Sequence, residues 1–453
     1  MPETQDKLKS GRVELPAGGR RHGIAPPCAR QWHRGATGAQ RRALILHCAA
    51  GRRMARQDWA RGFTDPNGTF VTGKGGTRSF VPNPLPPKWD IGPMFRAYVR
   101  AENAISGLGT IMRVAGVPGP LASLYMRREA VQSSRIEGTL ASLDDLLQYE
   151  AGKRFKQEEV SRLGMVEVAN CARATEAAMA TIGGGEGITI DLIRAAHEIL
   201  LRNVKGQVKN PGSIRTVQNA IVVENGEEDD VVYVPPPPGT VWQMLDALVR
   251  FVGDAHPDIP VIVQCAMAHY QFEAIHPFGD GNGRVGRMLI ALILAKKGRL
   301  PWPLLQLADY MEFNRREYYG CLERVSQKSE WDKWIMLFMR AFAEQAEATI
   351  DTIVALVGIR DRYVKITLGQ ERSVTMRILD ILFANPYVTT VRVRKELDVS
   401  QAMAEHGISR LVKAGVLKRV SAMQHTRVWA AHEIVAAIRT GDPWQRGTRA
   451  TIP

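Results

Sequence analysis

One stretch constrains this chain more than any other. A helix-forming run, PVIVQCAMAHYQFEAI (residues 260–275), delivers its C-terminal end straight to HPFGDGNGRVGR (276–287). The next helical run starts inside that loop, at Gly283. The expectation is a helix, a small-residue turn and a second helix, with unusual chemistry packed into the turn. Further helical periodicity extends from Ile91 to about Ala180, over residues 188–204, and on to about Leu356. The fold class is therefore mainly α.

Each residue type in the turn has a chemical use. Gly281, Asn282 and Gly283 put small residues at a helix N-terminus, where free N–H groups and the helix dipole favour an anion such as phosphate. Arg284 and Arg287 are three apart, so both forks lie on one helix face. Asp280 beside bound phosphates would repel them unless it held Mg²⁺. His276 is a general base of suitable basicity near neutral pH. Phe278 plugs the loop into the core. Together these predict a site for a Mg²⁺-bound nucleotide with a base that activates a hydroxyl. A capped helix connection with surface arginines is the plain alternative. Eight fixed residue types in twelve positions disfavour it, since chance supplies them at odds of roughly one in 10⁷ per chain.

Length bounds the organisation to two or three domains: the chain has 453 residues. Its net charge of +14 suggests a polyanionic partner, but residues 1–53 hold eleven basic and three acidic residues, so +8 of the excess sits there. That segment is rich in Gly and Arg and lacks periodicity. Residues 1–64 are expected to form a disordered basic extension, with Met54 as an alternative start of translation. Residues 65–90 read as an irregular, Gly- and Pro-rich leader. A helical domain (65–180) and a catalytic core (181–356) follow. Within the core, AIVV and VVYV flank an acidic turn and predict a β-hairpin over 219–234. Residues 371–440 read helix, helix, helix, hairpin, the order of a winged helix-turn-helix. Five cysteines without a CxxC, and no run of 18 apolar residues, predict a reducing, cytoplasmic setting and no membrane span.

HPFGDGNGRVGR resembles the signature of Fic-domain proteins, H-x-F-x-(D/E)-G-N-G-R-x-x-R, at every defined position. The resemblance extends over about residues 65–350. It implies a Fic-type helical core with a β-hairpin flap, and AMPylation: transfer of AMP from ATP to a Ser, Thr or Tyr hydroxyl of a protein target, the chain itself included. His276 would deprotonate that hydroxyl. Gly279, Asp280, Gly281, Asn282, Gly283, Arg284 and Arg287 would bind ATP, with Asp280 carrying Mg²⁺. Asn314, in FNRREYY, would lie on the adenine side.

A second stretch, SSRIEG (133–138), is similar to the family's inhibitory motif, (S/T)-x-x-x-E-(G/N). Ser133 and Glu137 are four apart and share a helix face; Gly138 marks the break. The resemblance implies that Glu137 pairs with Arg287 in the place of the γ-phosphate, leaving ATP misaligned. The hairpin resembles the flap, whose edge would accept an extended target segment.

Other readings stay open. Phosphocholine or phosphate could replace AMP as the transferred group. A nucleotide-sensing transcriptional regulator is the second hypothesis, with DNA bound through the winged helix. There Ser409, Arg410 and Lys413 would face outward, and Lys418, Arg419 and Arg427 would lie in or near the wing. A homodimer is allowed by either reading.

Overall fold

The computed structural model describes residues 43–47, 59–73, 76–114, 119–204, 210–225, 228–367, 374–420 and 427–440. Helix dominates them. First come α1 (Phe95–Val114), α2 (Gly119–Ile136), α3 (Leu143–Glu150), α4 (Gln157–Leu163), α5 (Met165–Gly183) and α6 (Ile190–Leu200). After a hairpin follow α7 (Pro238–Gly253), α8 (Val261–Ile275), α9 (Asn282–Lys296), α10 (Leu307–Phe313), α11 (Arg315–Lys328) and α12 (Trp331–Ile366). Polar caps set several starts. Ser142 and Asp145 form a reciprocal capping box at α3, and Thr189 accepts from Leu192 N–H at α6.

The core is organised around α8. Every residue from Ile262 to Ile275 is buried, so this helix is enclosed on all sides. It packs against α7, α9 and α12, while α1 runs along α12. Helix α2 packs on α5, α9 and α10, which brings its C-terminal end to the start of α9. The position of the 276–287 loop is thus fixed by two buried helices rather than by the loop itself.

Two features depart from the expected leader and extension. Residues 65–90 are not irregular throughout: β2 (Gly68–Thr72) and β3 (Arg78–Pro82) form an antiparallel hairpin. Its driving force is aromatic. Phe70 and Phe80 pack with Trp59, Phe63 and Tyr233 at centroid separations of 4.9–6.2 Å. The Gly-rich turn between the strands hides this pattern in the sequence. Within the stretch expected to be disordered, β1 (Ala43–His47) pairs antiparallel with β4 (Asn219–Asn225), and Trp59–Gly62 is a 3-10 turn. Backbone pairing offsets the lack of periodicity there. The start-site reading and the rest of 1–42 lie outside the described residues.

Strands β4 and β5 (Glu228–Tyr233) form the hairpin of the core, with β4 central in a three-stranded sheet of order β1-β4-β5. Its stem is tied down next to the loop: the Tyr233 hydroxyl donates to Ala274 O at 2.9 Å, and Phe80 N–H donates to Val234 O at 2.9 Å.

At the C-terminal end, α13 (Val374–Ala384), α14 (Thr390–Leu397) and α15 (Gln401–Lys413) precede α16 (His432–Thr440). A small antiparallel sheet of order β6-β8-β7 joins Tyr387–Val388, Trp429–Ala430 and Lys418–Arg419. This unit packs directly on α2 through α13 and on α12 through α16. Asn385 Nδ2 donates to Leu147 O at 2.8 Å, and Thr389 Oγ1 donates to Ala151 O at 2.7 Å. Arg128, on α2, donates to Ile438 O at 3.1 Å and pairs with Asp309 at 2.6 Å, both side chains buried. The three cysteines among the described residues, Cys171, Cys265 and Cys321, are buried free thiols. No helix among the described residues is long and apolar enough to cross a membrane.

Candidate active site

His276 closes α8 in a left-handed conformation, φ 50° and ψ 61°, which turns the chain out of the helix. Its Nδ1 lies 3.2 Å from Glu273 O. A carbonyl only accepts, so Nδ1 carries the proton and Nε2 keeps its lone pair. That Nε2 is buried without a hydrogen-bond partner among the described residues. Burial pushes the imidazole down to about 4, the Arg215 cation adds to this, and Glu137 and Asp280 pull the other way. At neutral pH the ring is neutral and able to take a proton.

The turn after it is closed by Asn282. Its Oδ1 accepts from Phe278 N–H at 2.8 Å and its Nδ2 donates to Phe278 O at 2.9 Å. The Asn282 side chain therefore braces the loop, and only its backbone is left for an anion. Gly281 caps α9 at φ 76°, a conformation that glycine adopts without cost. Phe278 is fully buried and stacks on His197, ring centroids 3.8 Å apart and 8° from parallel. His197 Nδ1 accepts from Gly212 N–H at 2.9 Å, so its Nε2 donates to Asp280 O, also at 2.9 Å. Burial holds this histidine down to about 4, so it is a neutral strut.

Asp280 and the two arginines stand where the dipole of α9 is positive. Asp280 Oδ1 accepts from Gly281 N–H at 2.7 Å and lies 3.7 Å from Arg284. Arg284 is buried and reaches Glu167 on α5 at 3.4 Å. No group of three His, Cys, Asp or Glu among the described residues could cage a metal. One carboxylate beside the N-terminus of α9 nonetheless fits Mg²⁺, which takes one or two carboxylates and completes its shell with substrate phosphates and water.

Helix α2 brings the second stretch to this turn. Arg287 Nε donates to Ser133 Oγ at 2.8 Å, and Nη2 donates to Ser133 O at 2.9 Å and to Glu137 Oε1 at 2.7 Å. Burial opposes the charge of Arg287, but Glu137, Tyr318 and Glu273 together raise its pKa above the ordinary value. Glu137 also stands against the first turn of α9: a Cβ on Gly283 would collide with Glu137 Oε1. Gly138, at φ 96°, turns the chain away after α2, and Arg315 Nη2 caps that end by donating to Ile136 O at 2.7 Å.

Asn314 is a different case. Its Nδ2 donates to Tyr310 O at 3.0 Å at the end of α10, and no hydrogen bond links it to residues 276–287. Gly279 lies buried in the loop between Phe278 and Asp280. Sequence reasoning passed over three supports: His197, Arg215 and Glu273. The first is a lone histidine on an amphipathic helix, and the second lies in PGSIRTVQN. Glu273 sits one turn before His276, and burial pushes it up to about 8 against the pull of Arg287.

Residues 187–294 match the Fic/DOC family model, and residues 95–180 match the model of the Fic/DOC family N-terminal region. This chain carries a Fic/DOC domain. The Fic match runs from just before α6 through the hairpin and His276 into α9, and the Fic N-terminal match contains α2 with Ser133, and Glu137 just beyond it. Similar proteins include the protein adenylyltransferase Fic of Nematostella vectensis, 31% identical over 189 residues, 42% of this chain and 38% of that protein. Another is a probable protein adenylyltransferase of Aquifex aeolicus, 34% identical over 101 residues, 22% of this chain and 31% of that protein. The chain thus spans well under half the length of either relative. Among solved structures, a Fic family protein from Desulfovibrio desulfuricans G20 matches with a TM-score of 0.51 and 21% identity. It covers 76% of this chain and 98% of that one, which shows the shared fold.

Proposed function

We propose that this chain is a protein adenylyltransferase that moves AMP from ATP to a hydroxyl of a protein target. One observation carries the reading. An unprotonated His276 Nε2, a helix N-terminus and two buried arginines share one twelve-residue turn. His276 takes the proton of a Ser, Thr or Tyr hydroxyl as its oxygen attacks the α-phosphate. The new bond is a phosphodiester to AMP; the bond to the β-phosphate breaks, and pyrophosphate leaves with that electron pair. The N–H groups opening α9 stabilise the charge that develops on the α-phosphate, and Arg284 and Arg287 hold the outer phosphates. Asp280 would hold Mg²⁺, which neutralises phosphate charge when bound.

The names of the related adenylyltransferases support AMP as the transferred group over phosphate or phosphocholine. The test supplies Glu137→Gly protein with ATP labelled on either the α- or the γ-phosphate. Protein-bound label is expected from α only, and only with His276 present. Label from γ would overturn the reading.

We further propose that Glu137 restrains the reaction, because its carboxylate and a γ-phosphate need the same guanidinium fork. The C-terminal unit reads as a winged helix. Ser409, Arg410, Lys413, Lys418, Arg419 and Arg427 are all exposed, which favours DNA as a second partner. DNA binding that weakens steeply with salt would support this; affinity indifferent to salt would end it.

A further inference from the structure

A buried cation stands behind His276 with no carboxylate partner among the described residues. Arg215, 6% exposed, donates from Nε to His276 O at 2.9 Å and from Nη2 to Ile275 O at 3.3 Å. The same Nη2 donates to Pro236 O at 2.6 Å, at the foot of the flap hairpin, and the Arg215 backbone N–H donates to Pro277 O at 2.9 Å. Among the described residues no salt bridge accompanies these bonds, and Nη1 is buried without a partner. Burying a guanidinium that only carbonyls satisfy is costly, and an apolar residue would fill the space more cheaply. What the cation achieves is local. It grips two consecutive carbonyls, those of Ile275 and His276, and the Arg215 backbone N–H holds the next, Pro277 O, where the chain enters a left-handed turn that a side-chain-bearing residue resists.

We propose that Arg215 is a positioning residue for the transfer, clamping the left-handed backbone of His276 to the flap stem so that its imidazole is aimed at the target hydroxyl. The proposal rests on the adenylyltransferase reading for its consequence, but its geometry is independent of the donor. Three charged groups surround the imidazole: Arg215 from behind, and Glu137 and Asp280 from the side of the turn. Arg215 alone contacts the His276 backbone.

The test uses Arg215→Met and Arg215→Lys in full-length Glu137→Gly protein. Turnover in Arg215→Met is expected to fall by roughly 10²-fold, as a displacement near 1 Å can produce, while ATP affinity holds. Arg215→Lys keeps the charge on a single ammonium without the planar fork, and recovers part of the rate. Independently of turnover, the ring signal of His276 in ¹³C-histidine NMR should broaden or move in Arg215→Met, while that of His197 stays. An unmoved His276 signal overturns the proposal, and so does a fall in ATP affinity and thermal midpoint that matches the fall in rate. If the parent protein itself transfers nothing, the adenylyltransferase reading fails, and Arg215 is still judged by the His276 signal.

Discussion

Glu137 Oε1 accepts a hydrogen bond from Arg287 Nη2 at 2.7 Å, joining residues 150 positions apart. The Arg287 side chain is 2% exposed and that of Glu137 is 32% exposed, so the pair sits at the edge of solvent with its cation inside. Ser133 takes the Nε donor through its hydroxyl and a second Nη2 bond through its carbonyl. Removing the carboxylate leaves a buried guanidinium short of its counter-charge. Glu137→Gln is expected to cost about 1–3 kcal/mol, less than for a fully buried pair because Glu137 is partly solvated. ATP should return more stability to the variant than to the wild type, since phosphate replaces the lost anion. Thermal midpoints with and without ATP check this.

His276 provides a pH prediction. Its imidazole is held down to about 4, so it is already neutral well below neutral pH. In Glu137→Gly the nearby carboxylate that raises it is gone, which moves it further down. The rate of transfer should therefore be flat from pH 8 to about pH 5.5 and fall only in more acid solution. A pH–rate profile reads this directly, and an acid limb centred near 6.5 would contradict it. His276→Ala should lower the rate by roughly 10²–10⁴-fold.

Gly281 is sensitive for two reasons at once. Its φ is 76°, and an added Cβ would lie 2.9 Å from Leu200 Cδ2. Left-handed backbone alone costs an L-residue roughly 1–2 kcal/mol, and the overlap adds to it. Gly281→Ala should lower the denaturation midpoint accordingly and weaken nucleotide binding.

The C-terminal unit packs on α2, the helix that leads directly into Glu137. Helix α13 lies against α2, and Arg128 of α2 reaches Ile438 O in α16. A chain ending at Thr367 loses these contacts. Its thermal midpoint should fall, and its basal transfer should rise because α2 holds Glu137 less firmly. Unfolding and AMP incorporation measured side by side test both halves.

The sequence makes the local parts legible. A helix, a Gly-Asn-Gly turn and a helix are written in consecutive residues, and so is the break at Gly138. The hairpin over 219–234 announces itself by two β-rich runs and a stop of prolines. The β2–β3 hairpin does not, because its turn glycines resemble a leader and its driving cluster draws on Trp59 and Tyr233 from elsewhere. His197 and Arg215 are hidden for a similar reason. Their partners, Asp280 and His276, are 83 and 61 residues away, and no local period encodes such contacts. Asn282 shows a subtler limit: its type suits a phosphate nest, but its side chain is spent on Phe278.

The most direct measurement is AMP incorporation from α-labelled ATP at saturating nucleotide, wild type against Glu137→Gly. The account predicts that removing Glu137 speeds transfer by at least about tenfold, equivalent to a coupling of 1.4 kcal/mol or more. The gain should vanish when His276→Ala is added. Equal rates in wild type and Glu137→Gly would contradict the claim that Glu137 and the γ-phosphate compete for Arg287.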